Sequence, residues 1–178
     1  MGSEFRTRLD VQRVLRSVIK EGMAENGYPD FECLEYADAI IATYDRAVFM
    51  NHMPSKRVGF QKWTYRGIPN SQWLVRRDEW IDEQTWKLHV LCKASDSEVY
   101  SEDVAQVLVA WLNGPGSISL RKSRIGVLRV FQSDVSSYND DSDLFQKRTV
   151  VDVTIQVPMA MESNTPVMYP EGVDTFPV

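Results

Sequence analysis

The chain has 178 residues, and 43% of them are hydrophobic, which is enough to bury one core without a disulfide or a structural metal. Its 25 acidic and 20 basic side chains give a net charge of −5, which argues against a dedicated nucleic-acid-binding protein, since such proteins usually carry a basic excess. The two cysteines, Cys33 and Cys92, lie far apart without a CxxC motif, which favours a reduced, intracellular protein.

No apolar run reaches the roughly 18 residues that a membrane-spanning helix needs, and no signal peptide precedes the first predicted helix. Met1–Phe5 resemble a cloning remnant, so we expect residues 1–7 to be a tag-like, disordered start. Residues 8–157 are predicted to form a single domain. Residues 158–178 are predicted to form an extended C-terminal arm, because prolines punctuate a segment without basic residues.

The first elements are predicted from apolar spacing. An amphipathic helix is expected from about Arg8 to Glu25, because its apolar residues recur every three or four positions. Asp30 is expected to cap a second helix. Its shared face would hold Leu34, Ala37, Ile41 and Tyr44. A short buried strand is predicted at residues 47–50, with continuation of the second helix to Asn51 as the alternative.

The middle of the chain is rich in aromatic and β-branched residues. A strand is predicted at Val58–Tyr65 with a bulge between Phe60 and Trp63, where the alternation slips. A turn follows at residues 67–70, and residues 71–82, which lack a regular period, are predicted to be an ordered excursion or an edge strand. Residues 85–93 alternate as a strand. Trp86, Leu88, Val90 and Cys92 are expected to point inward, and Lys87, His89 and Lys93 outward.

The last part of the chain organises the fold. Ser101 is expected to cap a helix that ends at Gly114–Gly116. Residues 124–131 and 150–157 are predicted to form an antiparallel pair of strands, joined by a polar, acidic loop over residues 132–144. The order of elements predicts an α+β fold, with a mainly antiparallel sheet of four to five strands and helices packed on one face.

Catalytic and metal-binding signatures are sparse. His52 and His89 are predicted to be surface residues, and the sequence contains no G-x-S-x-G, Walker or H-E-x-x-H motif. Asp140, Asp141 and Asp143 cluster in the polar loop, but an EF-hand would need a central glycine and a closing glutamate. We expect a solvated loop, with a loose ion site or a contact for a basic partner as alternatives.

Aromatic and arginine side chains concentrate in the predicted excursion. Trp73 and Trp80 stand there with Arg76 and Arg77. This composition is typical of protein–protein interfaces, although stacking on single-stranded nucleic acid is an alternative.

The ordered set of these stretches resembles the neck or tail terminator proteins of tailed bacteriophages, which cap a tail and join it to the head connector. The resemblance covers roughly residues 8–157. It rests on the N-terminal helix and on five further stretches: Phe60–Pro69, Glu83–Val90, Ser101–Ala105, Arg124–Val130 and Tyr138–Phe145.

The resemblance implies a small α+β virion protein without enzymatic activity or cofactors, which commonly acts as a hexameric ring. Its partners would be the tail tube protein and the head completion or connector proteins. DNA would pass through the ring lumen without specific binding, and assembly would take place in the host cytoplasm.

On this basis we expect the acidic loop of one copy to meet basic residues of the next copy, such as Lys122, Arg124 or Arg66. The alternatives are another head–tail adaptor or minor tail protein, a metal-dependent hydrolase that uses the acidic loop, and a single-strand-binding module. The residues predicted to face another subunit or a partner are Arg66, Trp73, Arg76, Arg77, Trp80, Lys122, Arg124, Asp140, Asp141 and Asp143.

Overall fold

The described residues form three helices and six strands. A computed structural model describes residues 7–35, 44–68, 73–92, 99–139 and 145–166, with backbone alone at 134–139 and 145–147. The helices are α1 (Arg8–Glu25), α2 (Ser101–Asn113) and α3 (Pro115–Lys122). The strands are β1 (Glu32–Glu35), β2 (Arg46–His52), β3 (Lys56–Gly67), β4 (Trp73–Cys92), β5 (Gly126–Asn139) and β6 (Phe145–Pro166).

The strands form one sheet in the order β1-β2-β4-β6-β5, with β3 also paired to β4. One edge of β4 is shared, because β2 pairs with residues 86–92 and β3 with residues 74–83. The other edge pairs with β6 along its whole length. The predicted α+β class is confirmed, although the sheet has six strands and is mixed, since β1 and β2 run parallel.

The helices bury their apolar faces against one side of this sheet. Helix α1 begins at a capping box in which Thr7 and Asp10 satisfy each other's backbone N–H groups. Its predicted stripe is buried, and Trp111 of α2 donates a hydrogen bond from Nε1 to the carbonyl of Val18 at 3.0 Å. The contact ties α1 to α2 inside the core.

The predicted inward faces of β4 and β6 are confirmed. Trp86, Leu88, Val90 and Cys92 are buried with Val151, Val153, Ile155 and Val157 beneath the helices. His89 was expected to point to solvent, and that prediction is wrong because only 3% of the residue is exposed. The second face of the sheet is therefore also buried around His89, where Val150 and Leu91 are almost fully covered.

The prediction of a helix after Asp30 needs correction. Residues 32–35 form a strand beside β2 rather than the start of a second helix, because pairing with residues 47–50 satisfies their backbone. Residues 36–43 lie outside the described residues. Strand β2 confirms the prediction at residues 47–50.

The region around α2 also differs from the prediction. Ser101 is the first residue of the helix rather than its cap, and its hydroxyl hydrogen-bonds to Thr149 at 2.9 Å. The chain does not pass directly from Gly114–Gly116 into a strand, since Pro115 opens α3. Proline suits the first turn of a helix because its missing N–H would have no partner there.

The strands run further than predicted. Residues 73–82 of the predicted excursion or edge strand form the first half of β4 and are paired on both sides, whereas residues 71–72 lie outside the described residues. The bulge in β3 is confirmed as a shift of register between Val58 and Lys62. Strand β5 continues to Asn139, into the predicted loop, and β6 continues past Val157 to Pro166. The predicted turn at residues 67–70 lies partly outside the described residues.

Candidate assembly interface

Three strands extend together beyond the helix-covered core. Residues 56–67 of β3, residues 73–82 of β4 and residues 158–166 of β6 form this extension, which we call the blade. Its tip is marked by the pairs Gly67 with Leu74 and Trp73 with Pro166. Nearly every residue of β3 is exposed, so the blade has solvent on both faces.

Both long edges of the blade are open within the described chain. Among the described strands, β3 pairs only with β4, and β5 leaves β6 at the pair Gly126 with Gln156. The last part of β6 therefore has β4 on one side and no described strand on the other. Exposed backbone N–H and C=O groups on such edges are ready to pair with another chain.

Large apolar side chains cover the blade. Phe60 is fully exposed at 102%, and about half or more of Trp63, Tyr65, Trp73 and Met161 is open to solvent. Scattered apolar residues are ordinary on a protein surface, but several large ones on a thin sheet with open edges are typical of an interaction surface.

The charged residues of the blade pair with one another. Arg76 lies 2.9 Å from Asp78, and Arg77 lies 2.9 Å from Glu79 and 3.5 Å from Glu162. Lys62 is 3.9 Å from Glu79. Arg76 and Arg77, which were predicted to face a partner, thus form ion pairs with carboxylates of their own chain. These ion pairs fix the side chains along the strands.

A cleft lies at the base of the blade, with a volume of about 320 Å³. Its lining residues are Phe60, Lys62, Arg77, Glu79, Trp80, Ile81, Arg124 and residues 158–160 of β6. Three predicted interface residues, Arg77, Trp80 and Arg124, thus border the cleft, although the alternation of β4 puts the Arg77 and Trp80 side chains on opposite faces of the sheet. Trp80 is further held by Arg57, whose guanidinium carbon lies 4.5 Å from the ring centroid.

Arg124 reaches the cleft from an unusual backbone position. It follows α3 with a φ of 64°, and its N–H bonds the carbonyl of Arg121 while that of Ile125 bonds Leu120. These two bonds form a Schellman motif, in which the left-handed residue is usually glycine. The Arg124 side chain is exposed, and no described residue forms an ion pair with it.

The remaining predicted interface residues are dispersed. Arg66 and Trp73 lie near the blade tip, and Lys122 is exposed in the last turn of α3. Asp140, Asp141 and Asp143 lie outside the described residues, between the paired ends Asn139 and Phe145. Along β6, about 40 Å of strand separates Phe145 from Pro158 at the cleft.

Sequence reasoning missed several residues of this surface. Phe60 and Lys62 were treated only as members of a strand, and Glu79 and Met161 were not singled out. One signal was available in β3, where Lys56, Arg57, Lys62 and Arg66 occur without an acidic residue. Runs of one charge on a strand with exposed aromatics indicate an edge that meets another surface.

Both histidines are shielded from solvent by their surroundings in the described part of the chain. Burial, together with Arg148 and Lys87, lowers the pKa of His89 to about 4, and burial also lowers the pKa of His52. His52 packs edge-on against Trp86 at 4.8 Å between ring centroids. Within the described ranges, no group of three or more His, Cys, Asp or Glu side chains could hold a metal ion.

Comparisons with known proteins identify the family to which the chain belongs. No helix in the described part of the chain is long and apolar enough to cross a membrane. No curated protein matches the sequence. One family model, described as E217 gateway protein gp29, matches residues 10–167, which include all six strands and nearly all of α1. The chain therefore belongs to the E217 gateway protein gp29 family, a family of phage head–tail structural proteins.

Proposed function

We propose that this protein terminates the phage tail at the neck, where it covers the end of the tail tube and joins it to the head connector as a closed hexameric ring of identical subunits. The single observation that carries the proposal is the blade. A three-stranded sheet with two open edges and exposed aromatics is costly for a lone protein, and neighbouring subunits or head and tail proteins would cover it.

The positions of the charged surfaces support a head-to-tail arrangement of subunits. The acidic residues occur in the sequence between Asn139 and Phe145, whose pair marks one end of β6, whereas Arg66 lies near its other end. Contacts between two different surfaces of identical subunits close into a ring when the rotation between them divides a full turn. A net charge of −5 suits a lumen that lets DNA slide, since phosphate is repelled rather than held.

The test is the mass in solution by light scattering over a concentration series, with negative-stain images of the same samples. We expect closed rings with a central hole, alone or after addition of the tail tube protein. A chain that stays monomeric alone and with tube and connector proteins would contradict the proposal.

A charge reversal tests the contact within the ring. Asp140→Lys combined with Asp141→Lys should abolish rings while leaving the circular dichroism spectrum of the monomer unchanged. The matched control is Glu21→Lys with Glu25→Lys, which makes the same change of charge on the exposed face of α1. Rings that persist in the Asp140/Asp141 variant would exclude the acidic loop from the interface.

A further inference from the structure

Among the described strands, the blade has one open edge on each side, and the two edges differ. Residues 161–164 of β6 are exposed beyond the point where β5 leaves, and β3 is exposed along nearly its whole length. Since β3 and β6 both pair antiparallel with β4, these two edge strands run in the same direction. A second copy of the chain can therefore continue the sheet, with its β3 beside β6 of the first copy.

The hydrogen bonding of β4 decides which backbone groups reach the open edge of β6. The N–H of Met53 bonds the carbonyl of Thr85 at 2.9 Å, so odd-numbered residues of β4 direct their backbone groups towards β2 and β3. Even-numbered residues of β4 then bond odd-numbered residues of β6, and even-numbered residues of β6 face the open edge. Pro158 and Pro166 are even-numbered, which agrees with this phase, because proline has no N–H to give to β4.

The same alternation defines the groups that each edge offers to a partner. On β6, Glu162 and Asn164 direct N–H and C=O groups outward. On β3, the residues that do so are Trp63, Tyr65 and Gly67, because their even-numbered neighbours bond β4. Each edge therefore carries a short row of donors and acceptors with the spacing of a strand.

The side-chain faces match only when the two edges pair in parallel. Trp63 lies on the same face of the blade as Met161, and both are more than half exposed in one chain. Lys62 and Arg66 lie on the opposite face, which is the face of Glu162. Parallel pairing brings Trp63 of one copy to Met161 of the other and leaves Glu162 between the two cations. Antiparallel pairing of the same edges would turn Trp63 onto the face of Glu162.

We propose that β3 of one copy pairs in parallel with residues 160–165 of β6 in the next copy, so that the blades form one continuous sheet around the ring. Tyr65 lies opposite Ser163, and its backbone bonds those of Glu162 and Asn164. The inference rests on the proposed ring and names the strands that close it.

Replacement of Asn164 by proline tests the edge without a change of charge. The variant lacks the outward N–H of residue 164, which β4 does not use. The circular dichroism spectrum of the monomer should therefore stay unchanged, while light scattering and negative-stain images show the loss of rings. Asn164→Ala is the matched control, since it removes the same side chain but keeps the N–H, and it should form rings. Rings formed by Asn164→Pro would overturn the pairing.

Cross-linking between two chains identifies the strands that meet. One chain carries Thr64→Cys and the other Asn164→Cys, and a short bifunctional maleimide is added to the mixed ring. Cys33 and Cys92 are buried and should not react. We expect a dimer of the two chains on a denaturing gel, and none from either chain alone or when Ser17→Cys, on the exposed face of α1, replaces Asn164→Cys. A dimer formed by either chain alone would join two like edges and would overturn the proposal.

Exchange of charges tests the direction of the strands. Glu162→Lys should abolish rings, and Lys62→Glu with Arg66→Glu in the same chain should restore them. Glu21→Lys is the matched control, because it reverses an exposed charge on α1, and it should form rings. Rings that survive Glu162→Lys, or a triple variant that forms none, would overturn the parallel arrangement.

The two proposals fail in distinguishable ways. Rings that form without the mixed cross-link would leave the proposed function in place and overturn the strand pairing. Chains that stay monomeric, alone and with tube and connector proteins, would overturn both.

Discussion

Replacement of Gly22 by alanine should destabilise the protein, although Gly22 lies inside α1. In a helix, Gly→Ala normally raises the free energy of unfolding by about 1 kcal/mol, because alanine has the better helix propensity. Here the indole of Trp111 occupies the space that the new methyl group needs. A Cβ at Gly22 would lie 2.5 Å from Nε1 and 2.6 Å from Cγ of that ring.

The steric term should outweigh the propensity term. Overpacking of a well-packed core costs about 1–3 kcal/mol, and displacement of the indole also weakens its hydrogen bond to Val18, a loss of about 1 kcal/mol. The indole has little room to retreat, since a Cβ at Gly116 would lie 2.6 Å from the same Nε1. We expect Gly22→Ala to lower the free energy of unfolding by about 2 kcal/mol and Tm by about 4–8 °C.

Urea and thermal unfolding followed by circular dichroism measure the effect. Ser17→Ala, on the exposed face of α1, is the control and should leave the stability unchanged or slightly raised. In a Trp111→Leu background, Gly22→Ala should become neutral or stabilising, because the clash is gone. A Gly22→Ala protein as stable as the parent, with Trp111 in place, would refute the close packing of α1, α2 and α3 on this ring.

Three further predictions concern single sites. Arg124→Gly should raise the free energy of unfolding by about 1 kcal/mol, because glycine accepts a φ of 64° without strain. Arg121→Gly, within α3, should lower it by a similar amount in urea titrations. His89 has a pKa of about 4 in the fold and an ordinary value of 6.5, so its contribution to stability is complete above pH 6.5 and is lost as the pH falls towards 4. His89→Gln should therefore flatten the dependence of Tm on pH in that range, and an unchanged slope would contradict the burial of the imidazole. Burial raises the pKa of Cys33 to about 12, and Cys92 is also buried. Both thiols should therefore resist a thiol reagent at pH 8 until the protein is unfolded in urea. Fast labelling of the native protein would place a thiol at the surface.

Much of the fold could be predicted because its signals are local. The stripe of α1 and the alternation of Val151, Val153 and Ile155 each describe one element with one dry face, and both are confirmed. The bulge in β3 left a visible break in alternation. The helix at residues 30–44 was wrong at its start, because four residues of β1 are too few to show a period and pairing with β2 decides their structure.

The site was less predictable, since its parts come together only through pairing between distant segments. Residues 73–82 show no regular period, because β3 and β6 flank them and their side chains form ion pairs instead of a dry face. His89 looked solvent-facing beside lysines, yet the second face of the sheet is covered. Nothing near Arg124 in the sequence indicates that it shares a cleft with Phe60 and Trp80.

The sequence by itself determined the elements with strong periods, the α+β class and a resemblance to phage neck proteins, because hydrophobic spacing and composition are properties of short stretches. The tertiary structure decided which strand edges stay open, which arginines are already paired and where the cleft forms. Those features depend on contacts between residues up to about a hundred positions apart, as when Arg77 meets Glu162 across β4 and β6. No local pattern encodes such a meeting, since each strand carries only its own half of the contact.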